Sequence, residues 1–393
     1  MRQFTFYANR PVENYHKVDM WLLVSILLLW GLGFFTLFVC SQNYAERAFG
    51  DSLYFIKRQF ISSVIGFVLL ISLLVIDMKY IRKLVPAILL LALILCFMTF
   101  FSEERNGAKR WIHLPAGFTF QPSEFAKFAI VLFLANYFDK QEKIENPEEK
   151  TVFPCVIVFI SFVIMILGQK DFSTGVFIAG AGILLFIVAG AKIAWLIPFG
   201  VMAIPAAFLL VALEPYRLQR VIGWIKPDEF ATSINYQSIA AKRAISAGGL
   251  WGNGIGAGLT RINNIPEIQA DYIFAGWAEA MGFIGVILYL GLLVFFAVRG
   301  YRTALLCKNR FTAYGSFGCV SIIFLQSLLN IMVVGGILPT TGIPLPFFSL
   351  GGSSIIITLA MCGFLLNASR CEEFSEKSSV DIDDINMEPF SYL

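Results

Sequence analysis

The stretch from Leu250 to Gly282 joins a glycine-rich segment to an acid at the start of a long apolar run. Four glycines occupy alternate positions near its beginning: Gly252, Gly254, Gly256 and Gly258. Asp271 stands immediately before the apolar run Tyr272–Val298, which predicts an acid at a helix N-terminus. Backbone N–H groups and the helix dipole favour an ionised carboxylate there, so Asp271 could act as a base at the mouth of a membrane cavity. The alternative is that Asp271 only caps the helix.

The composition indicates a polytopic membrane protein. The chain has 393 residues, of which 58% are hydrophobic and only 15% charged, against about 25% charged in soluble domains. Its mean hydropathy is +0.74. A net charge of +3 is too small to indicate a nucleic-acid partner. The 7 cysteines are scattered and form no CxxC pair, and 2 histidines are too few for a histidine-based triad or metal cluster.

Apolar runs predict an all-α fold with about ten transmembrane helices. The predicted spans are Trp21–Cys40, Phe60–Ile76, Leu84–Phe101, Phe125–Phe138, Val152–Leu167, Gly175–Gly190, Ile193–Leu213, Tyr272–Val298, Tyr314–Val334 and Phe348–Leu366. Lys and Arg are more frequent in the segments that are inside when both termini are inside, which favours an N-in/C-in orientation.

This orientation divides the chain into three parts. Residues 1–18 form a cytoplasmic tail, residues 19–369 form the transmembrane domain, and residues 370–393 form an acidic cytoplasmic tail. Residues 214–271 form a large extracytoplasmic loop between helices 7 and 8. Within this loop, Asn235–Ala247 is predicted to be an amphipathic helix on the membrane face.

Charged and aromatic residues near the ends of the spans are candidate substrate-binding residues. Lys127 either faces an anionic ligand or pairs with Glu124, three residues earlier. Lys109, Arg110 and Trp111 either contact a phosphate and a sugar or form an ordinary interfacial aromatic belt with snorkelling cations.

Four further charged residues are candidates for the predicted site. Asp171 is a site acid or merely the N-cap of the helix that begins near Thr174. Arg217 and Arg220, three residues apart, form a cationic face toward lipid phosphate or snorkel at the surface. Glu279, which is also included among the predicted substrate-binding residues, lies eight residues beyond Asp271 in the same helix and should face the protein interior.

Polar and irregular segments complete the predicted cavity. Gln326 and Asn330 share a helix face and are predicted to hydrogen-bond between helices. Leu338–Ser354 is rich in Pro and Gly, and such backbone is tolerated in a membrane only where protein buries it or water wets it. Ser349, in this segment, is included among the predicted substrate-binding residues. The alternating glycines have no nucleotide-binding context and are predicted to permit close backbone approach or hinging.

Five segments, taken together and in this order, resemble the SEDS family of bacterial cell-wall synthesis. They are NGAKRWI with QPSEFAKF, GQKDFSTG, YRLQRVIGWIKP, AISAGGLWGNGIGAGL with IPEIQADYIFA and EAMG, and LPTTGIPLPFFSLGGSS. The early CSQNYAERAFGDSLYFIKRQ and the PTTG step are more similar to the FtsW branch than to the RodA branch. Asp271 corresponds to the family's essential acid, although QADYIFA replaces an HTDFIFA-like string.

The resemblance implies an inverting peptidoglycan glycosyltransferase of the bacterial inner membrane, acting at the division site. Its substrates would be lipid II and the undecaprenyl-pyrophosphate-linked glycan. Its partners would be a class B penicillin-binding protein and other divisome membrane proteins. Asp271 would deprotonate the acceptor hydroxyl while the cations neutralise the departing diphosphate. Mg²⁺ or Mn²⁺ could assist, but no ligand cluster identifies a metal site.

Three alternatives remain at this stage. The chain could be a flippase that moves a lipid-linked precursor without chemistry, and the same cavity and cations would serve it. It could be a scaffold that only positions a transpeptidase. Within the family, it could be the RodA-type elongation polymerase.

Overall fold

The computed structural model describes residues 17–104, 108–145, 151–191, 200–201, 205, 212, 214–226, 235–254 and 268–370. In this part the α-helices are α1 Met20–Phe49, α2 Tyr54–Val75, α3 Met78–Met98, α4 Pro122–Glu142, α5 Phe153–Gly168, α6 Phe172–Val188, α7 Pro215–Ile225, α8 Tyr236–Gly248, α9 Ile273–Leu306, α10 Arg310–Val334 and α11 Gly352–Ser369. A 3-10 turn, Thr99–Phe101, follows α3. Strands β1 Ile112–His113 and β2 Thr119–Phe120 pair antiparallel around a second 3-10 turn, Pro115–Gly117.

The helical membrane architecture is confirmed. Among the described residues, 6 helices are long and apolar enough to cross a membrane, namely α1, α2, α3, α9, α10 and α11, and α5 and α6 are shorter apolar helices. The predicted span Phe125–Phe138 corresponds to α4, in which Glu124 and Lys127 interrupt the apolar sequence. Most of the predicted span Ile193–Leu213, and both predicted tails apart from the residues next to the bundle, lie outside the described residues.

Two predicted helix boundaries need correction. The span predicted from Phe348 begins only at Gly352, because residues 344–351 form irregular backbone in which Phe347 has a φ of +68°. Proline at positions 344 and 346 disfavours helical backbone before each of them. The run predicted as one helix from Tyr272 is interrupted at Gly282, where φ is +63° and ψ is −166°.

The helix α11 forms the centre of the bundle. In its apolar window 89% of residues are buried, against 22% in that of α3, which lies at the periphery. Small residues allow α2 to pack closely against α11: a Cβ on Gly363 would lie 2.5 Å from Leu70 O, and one on Gly66 would lie 2.6 Å from Leu359 Cδ1. Close approach at small residues is the usual way in which membrane helices gain packing energy.

One end of the bundle is held by a polar cluster around Asp19, the N-cap of α1. Its carboxylate accepts hydrogen bonds from Trp21 N and Leu22 N, at 2.9 and 3.2 Å. Arg299 donates to Asp19 Oδ2 from Nε at 2.9 Å, and Asp19 N donates to Ser369 Oγ at 3.1 Å. The starts of α9 and α11 therefore lie at the opposite end, since Arg299 and Ser369 are near the C-termini of these helices. The starts of α4 and α6 lie there too, because Gln121 donates to Ser353 Oγ at the start of α11 and to Asp171 at the start of α6.

The glycine-rich segment that follows α8 docks into the interruption of α9. Asn253 N and Gly254 N donate to Glu279 O and Ala280 O, at 2.9 and 3.1 Å. In return, Phe283 N and Ile284 N donate to Gly249 O and Leu250 O, at 2.9 and 3.2 Å. These hydrogen bonds satisfy backbone groups that the break in the helix would otherwise leave unpaired. The prediction that these glycines permit close backbone approach is confirmed for Gly252, whose Cβ would collide with Ala280 O; Gly256 and Gly258 lie outside the described residues.

The long loop contains two short helices in its described part. The helix predicted at Asn235–Ala247 is observed as α8, but its buried residues are the small Ala241, Ala244 and Gly248, which pack on α9. The helix α7 was not predicted; only its two arginines were singled out.

Candidate active site

Asp271 lies in a turn immediately before α9 and is half-buried. Its Oδ2 lies 3.4 Å from the position that a Cβ would take on Gly342. Gly342 has a φ of +73°, so a residue with a Cβ would be strained there, and its Cβ would reach van der Waals contact with the carboxylate. The acid predicted at a helix N-terminus is therefore found there, near the irregular segment that follows α10.

Two amide side chains of α10 hold the backbone around Asp271. Asn330 Nδ2 donates to both Asp271 O and Ile343 O, at 2.9 Å each. Gln326 Nε2 donates to Pro344 O, also at 2.9 Å. The predicted hydrogen bond between helices is confirmed for Gln326, whose Oε1 also accepts from Lys127 of α4. Asn330 instead donates to backbone outside the helices.

Asn330→Ala is expected to lower the activity of the folded protein as well as its stability. The change leaves two buried carbonyl groups without their donor, at a cost of about 1–3 kcal/mol for each group. It also releases Asp271 from Ile343, so the carboxylate loses its fixed position. For the reaction that the family resemblance implies, we expect a fall in kcat with a smaller change in KM for lipid II, measured with the purified protein.

Asn367→Ala is the matched control for this change. Asn367 Nδ2 also donates to two carbonyl groups, Leu73 O and Ile76 O, at 2.6 Å each, but at the other end of the bundle. Both variants should have lower thermal stability, whereas only Asn330→Ala should lose activity at temperatures at which both proteins are folded. Equal activity losses would mean that Asn330 contributes only to folding.

Ser349 has a structural position in the same irregular segment. It is buried, and its Oγ accepts a hydrogen bond from Leu345 N at 2.7 Å. Gln59 of α2 donates to Ser349 O and accepts from Gly351 N, both at 3.3 Å. Substrate contact through Ser349 stays a prediction, and its observed contacts instead stabilise the turn before α11.

Asp171 does not cap α6, although it occupies the N-cap position. Its side chain makes no capping hydrogen bond and is buried at 2% exposure. Gln121 Nε2 donates to Asp171 Oδ2 at 2.9 Å, Ser123 Oγ donates to the same oxygen at 3.4 Å, and Arg110 NH1 lies 3.4 Å from Oδ1. The capping interpretation was wrong, because side chains from α4 and from the preceding loop outcompete the backbone of α6 for this carboxylate.

The predicted cations Lys109 and Arg110 are both held at this end of the bundle. Arg110 pairs with the carboxylate of Asp171, and Lys109 is held through its backbone. Lys109 N donates to Gln169 O at 3.1 Å, which joins their loop to the end of α5. The guanidinium of Arg110 lies 5.8 Å from the ring centroid of Trp111. Its buried Nε has no hydrogen-bond partner among the described residues, so Asp171 and Trp111 orient this group while leaving a donor available.

Lys127 is enclosed in the bundle. Its Nζ donates to Glu124 Oε1 at 2.8 Å and to Gln326 Oε1 at 2.7 Å, and its side chain is only 2% exposed. The pairing alternative is therefore the one observed. Through Gln326, Lys127 also supports the segment beside Asp271, while direct contact of Lys127 with substrate stays a prediction.

Lys127→Met is expected to destabilise the protein by about 3–5 kcal/mol, because it leaves Glu124 buried without its counter-charge. Adding Glu124→Gln should restore most of the thermal stability by removing that charge. Thermal unfolding of both variants in detergent measures the effect. If the double variant is as unstable as the single one, the unpaired charge of Glu124 does not cause the loss of stability.

The helix α7 links the two acids. Arg217 NH2 donates to Lys170 O at 3.4 Å, and its guanidinium lies 5.4 Å from the ring centroid of Phe172, beside Asp171. Arg220 NH1 donates to Thr340 O at 3.3 Å, two residues from Gly342. Because positions three apart share a helix face, α7 presents both arginines to the end of the bundle where Asp171 and Asp271 lie.

Glu279 is fully buried in α9, as predicted for an acid that faces the protein interior. Its backbone carbonyl accepts the hydrogen bond from Asn253 N, so the residue lies where the glycine-rich segment docks. A role of Glu279 in substrate binding stays a prediction.

Cations and helix N-termini make this end of the bundle suitable for anions. The helices α4, α6, α9 and α11 begin here, and the partial positive charge of each N-terminus adds to that of the nearby arginines and lysines. Among the described residues, no group of three or more His, Cys, Asp or Glu side chains could hold a metal ion. The described residues thus place Asp271, Asp171 and several cations at the same end of the bundle.

Sequence reasoning missed Gln121 and Gln59 as members of this site. Gln121 is not among the residues predicted above, because its partner Asp171 is 50 positions away in the chain. Gln59 is a polar residue at the edge of an apolar run, and that position is a usable signal for a buried hydrogen bond.

Comparison with known proteins assigns the family. The FtsW/RodA/SpoVE family model, described as a cell cycle protein, matches residues 20–373. The chain belongs to this family. A Geobacter relative (strain M18) named as a probable peptidoglycan glycosyltransferase FtsW is 33% identical over 92% of the chain and 98% of that protein. The stage V sporulation protein E of Bacillus subtilis is 34% identical over 91% of the chain and 98% of that protein.

Solved structures of the family share the fold. A structure from a peptidoglycan synthase complex that coordinates polymerization and crosslinking aligns with a TM-score of 0.74 and 25% identity, over 91% of this chain and 99% of that one. RodA of Thermus thermophilus aligns with a TM-score of 0.66 and 23% identity, over 91% of this chain and 98% of that one. The predicted family is confirmed, with FtsW as its nearer branch, and the chain is a peptidoglycan glycosyltransferase.

Proposed function

We propose that this glycosyltransferase polymerises lipid II into glycan strands on the outer face of the bacterial inner membrane, with Asp271 as the general base. The observation that carries this proposal is the position of Asp271, whose backbone is held by Asn330 and whose carboxylate lies near Gly342, at the end of the bundle where Arg110, Arg217 and Arg220 also lie. A base must be fixed in position and accessible, and half-burial at the start of α9 meets both requirements.

The proposed reaction inverts the configuration of the donor sugar. The 4-hydroxyl oxygen of the acceptor GlcNAc attacks the anomeric carbon of the donor while the Asp271 carboxylate takes the hydroxyl proton. A C–O bond forms between the sugars, and the bond from the anomeric carbon to the lipid diphosphate breaks with its electron pair on the diphosphate. Asp271 then returns the proton to water.

The departing diphosphate requires neutralisation by cations. Arg110, Arg217 and Arg220 lie at this end of the bundle on fixed supports, namely Asp171, the ring of Phe172 and Thr340 O. Preorganised cations stabilise developing negative charge without a reorganisation cost during the reaction. Lys109 is placed with them by its backbone hydrogen bond to Gln169.

The membrane orientation in this proposal is N-in/C-in with ten spans, of which Ile193–Leu213 is one. The cluster around Asp19 then lies on the cytoplasmic side and Asp271 on the outer side. The proposed setting is the division site, with a class B penicillin-binding protein as the transpeptidase partner. The similarity to FtsW-named relatives and to a chain from a synthase complex supports this choice.

Proteoliposomes that carry labelled lipid II distinguish polymerisation from transport. We expect the purified protein, with its transpeptidase partner, to convert lipid II into glycan strands and to release undecaprenyl diphosphate. A carrier would move lipid II between leaflets without consuming it. Transport without any glycan product would reject the polymerase in favour of the flippase.

A further inference from the structure

A pocket lies between α7, α8 and the segment that follows α10. Its polar lining comes from Arg220, Trp224, Asn235, Ser238, Lys242 and Thr340. These residues include two cations, two hydroxyl groups, an amide and an indole, and Lys242, Asn235 and Ser238 have no part in the mechanism described above. The pocket therefore provides positive charge and hydrogen-bond donors beside the candidate active site.

The walls of the pocket are fixed by hydrogen bonds. Arg220 NH1 donates to Thr340 O at 3.3 Å, and Trp224 Nε1 donates to Gly336 O at 3.1 Å, so α7 is attached to the segment after α10 at two points. Asn235 Nδ2 donates to Gly223 O, which attaches the start of α8 to α7. Each of these hydrogen bonds joins a lining side chain to a backbone carbonyl group of another segment, so the walls of the pocket hold a fixed relative position.

Gly336 makes room for the end of the Lys242 side chain. A Cβ on Gly336 would overlap Lys242 Cε and Nζ, and the residue has a φ of +77°, so only glycine suits this position. In the part of the chain that the structure describes, no acid forms an ion pair with Lys242. An ammonium group that shares a pocket with a guanidinium repels it unless an anion lies between them.

The enclosed part of this pocket has room for about one water molecule, so a larger anion lies across its open rim. We propose that this rim binds the diphosphate of a lipid-linked sugar, with Lys242 and Arg220 as its charged ligands. Ser238 and Thr340 supply hydroxyl donors, and Trp224 supplies an apolar wall for the adjoining sugar or lipid. This inference rests on the proposed polymerisation of lipid II, because that reaction brings two lipid diphosphates to one active site.

The position of the pocket favours the diphosphate of the donor. Thr340 is two residues, about 7 Å or less, from Gly342 along the backbone. A Cβ on Gly342 would lie 3.4 Å from Asp271 Oδ2, so the pocket wall lies near the base. The donor diphosphate is attached to the carbon that is attacked, whereas the acceptor diphosphate lies two sugars away from the reacting hydroxyl. The diphosphate of the donor is therefore the one expected to bind near Asp271.

The test compares Lys242→Gln with Arg243→Gln. Arg243 is the adjacent, exposed cation of α8, so both changes remove one charge from the same helix. Binding of undecaprenyl diphosphate is measured by the quenching of a fluorescent analogue, with undecaprenyl monophosphate as competitor. We expect Lys242→Gln to weaken diphosphate binding roughly tenfold, Lys242→Arg to restore most of it, and Arg243→Gln to leave it unchanged.

Steady-state kinetics distinguish whether the bound diphosphate belongs to the donor or to the acceptor. With preformed lipid-linked glycan as donor and labelled lipid II as acceptor, Lys242→Gln should raise KM for the donor and leave KM for the acceptor unchanged. A rise only for the acceptor would overturn the donor assignment, and unchanged diphosphate binding in a folded Lys242→Gln protein would overturn the pocket itself.

The binding measurement is repeated in the Asp271→Asn background to separate the two proposals. Binding requires no turnover, so the effect of Lys242→Gln can be read whether or not Asp271 is the base. Full polymerisation activity of Asp271→Asn would reject the proposed mechanism, whereas an unchanged binding constant in Lys242→Gln would reject only the pocket. Thermal unfolding of each variant confirms that the compared proteins are folded.

Discussion

Replacing Asp271 with Asn is expected to lower the rate of glycan polymerisation by a factor of about 10² to 10⁴, the usual contribution of a positioned general base. The amide has nearly the shape of the carboxylate but cannot take the proton of the attacking hydroxyl. The backbone carbonyl that Asn330 holds is unaffected, so the turn before α9 should be preserved. The rate is measured with purified lipid II and the transpeptidase partner.

Asp51→Asn is the control for loss of an acid at the membrane surface. Asp51 pairs with Lys57 at 2.7 Å, outside the candidate site, and both side chains are exposed. This variant should polymerise lipid II at the wild-type rate. Comparable rates for the two variants would show that Asp271 is not the base.

The second large effect is expected from Gly252→Ala, which should prevent the segment after α8 from docking into α9. The added Cβ would collide with Ala280 O, and neither backbone can withdraw without breaking the hydrogen bonds between Asn253 and Glu279 and between Gly254 and Ala280. Overpacking costs about 1–3 kcal/mol. The positive φ adds about 1–2 kcal/mol for a residue with a Cβ.

Gly254→Ala separates collision from backbone strain. Gly254 has a φ of +81°, close to the +83° of Gly252, but a Cβ there meets no atom within 4 Å. Gly254→Ala should therefore lose only the strain energy and retain a folded protein, whereas Gly252→Ala should show a much lower melting temperature and yield. The close packing of this segment on α9 is contradicted if the two variants are equally stable.

The helices could be predicted from sequence because a bilayer allows few alternatives. Backbone polar groups in lipid must be satisfied internally, so a long apolar run such as that of α10 has no stable alternative to a helix. The position of Asp271 could be predicted for a similar reason: it is the last polar residue before such a run. Local sequence determines both features.

Features that depend on distant partners could not be predicted. From its position in the sequence, Asp171 could equally be a site acid or a carboxylate that caps α6. The carboxylate makes no cap because Gln121 and Arg110, which are distant in the sequence, bind it instead. Likewise, the spacing of Glu124 and Lys127 allowed either an ion pair or a ligand contact. The surrounding helices bury both side chains, and the two residues form the ion pair.

The interruption of α9 could not be predicted either, because Gly282 lies inside a continuous apolar run. Glycine is frequent in unbroken transmembrane helices, so its presence there carries little information. The break becomes stable only when Gly249 and Leu250 accept the hydrogen bonds of Phe283 and Ile284. A pattern confined to one segment does not contain that information.

The most direct test of the account is a single-turnover experiment with excess protein and labelled lipid II. Binding of lipid II, formation of the sugar–sugar bond and release of undecaprenyl diphosphate are followed in the same sample for wild type and Asp271→Asn. We predict that both proteins bind lipid II and that only the wild type forms glycan and releases diphosphate. Release of diphosphate by Asp271→Asn at the wild-type rate would contradict the assignment of Asp271 as the base.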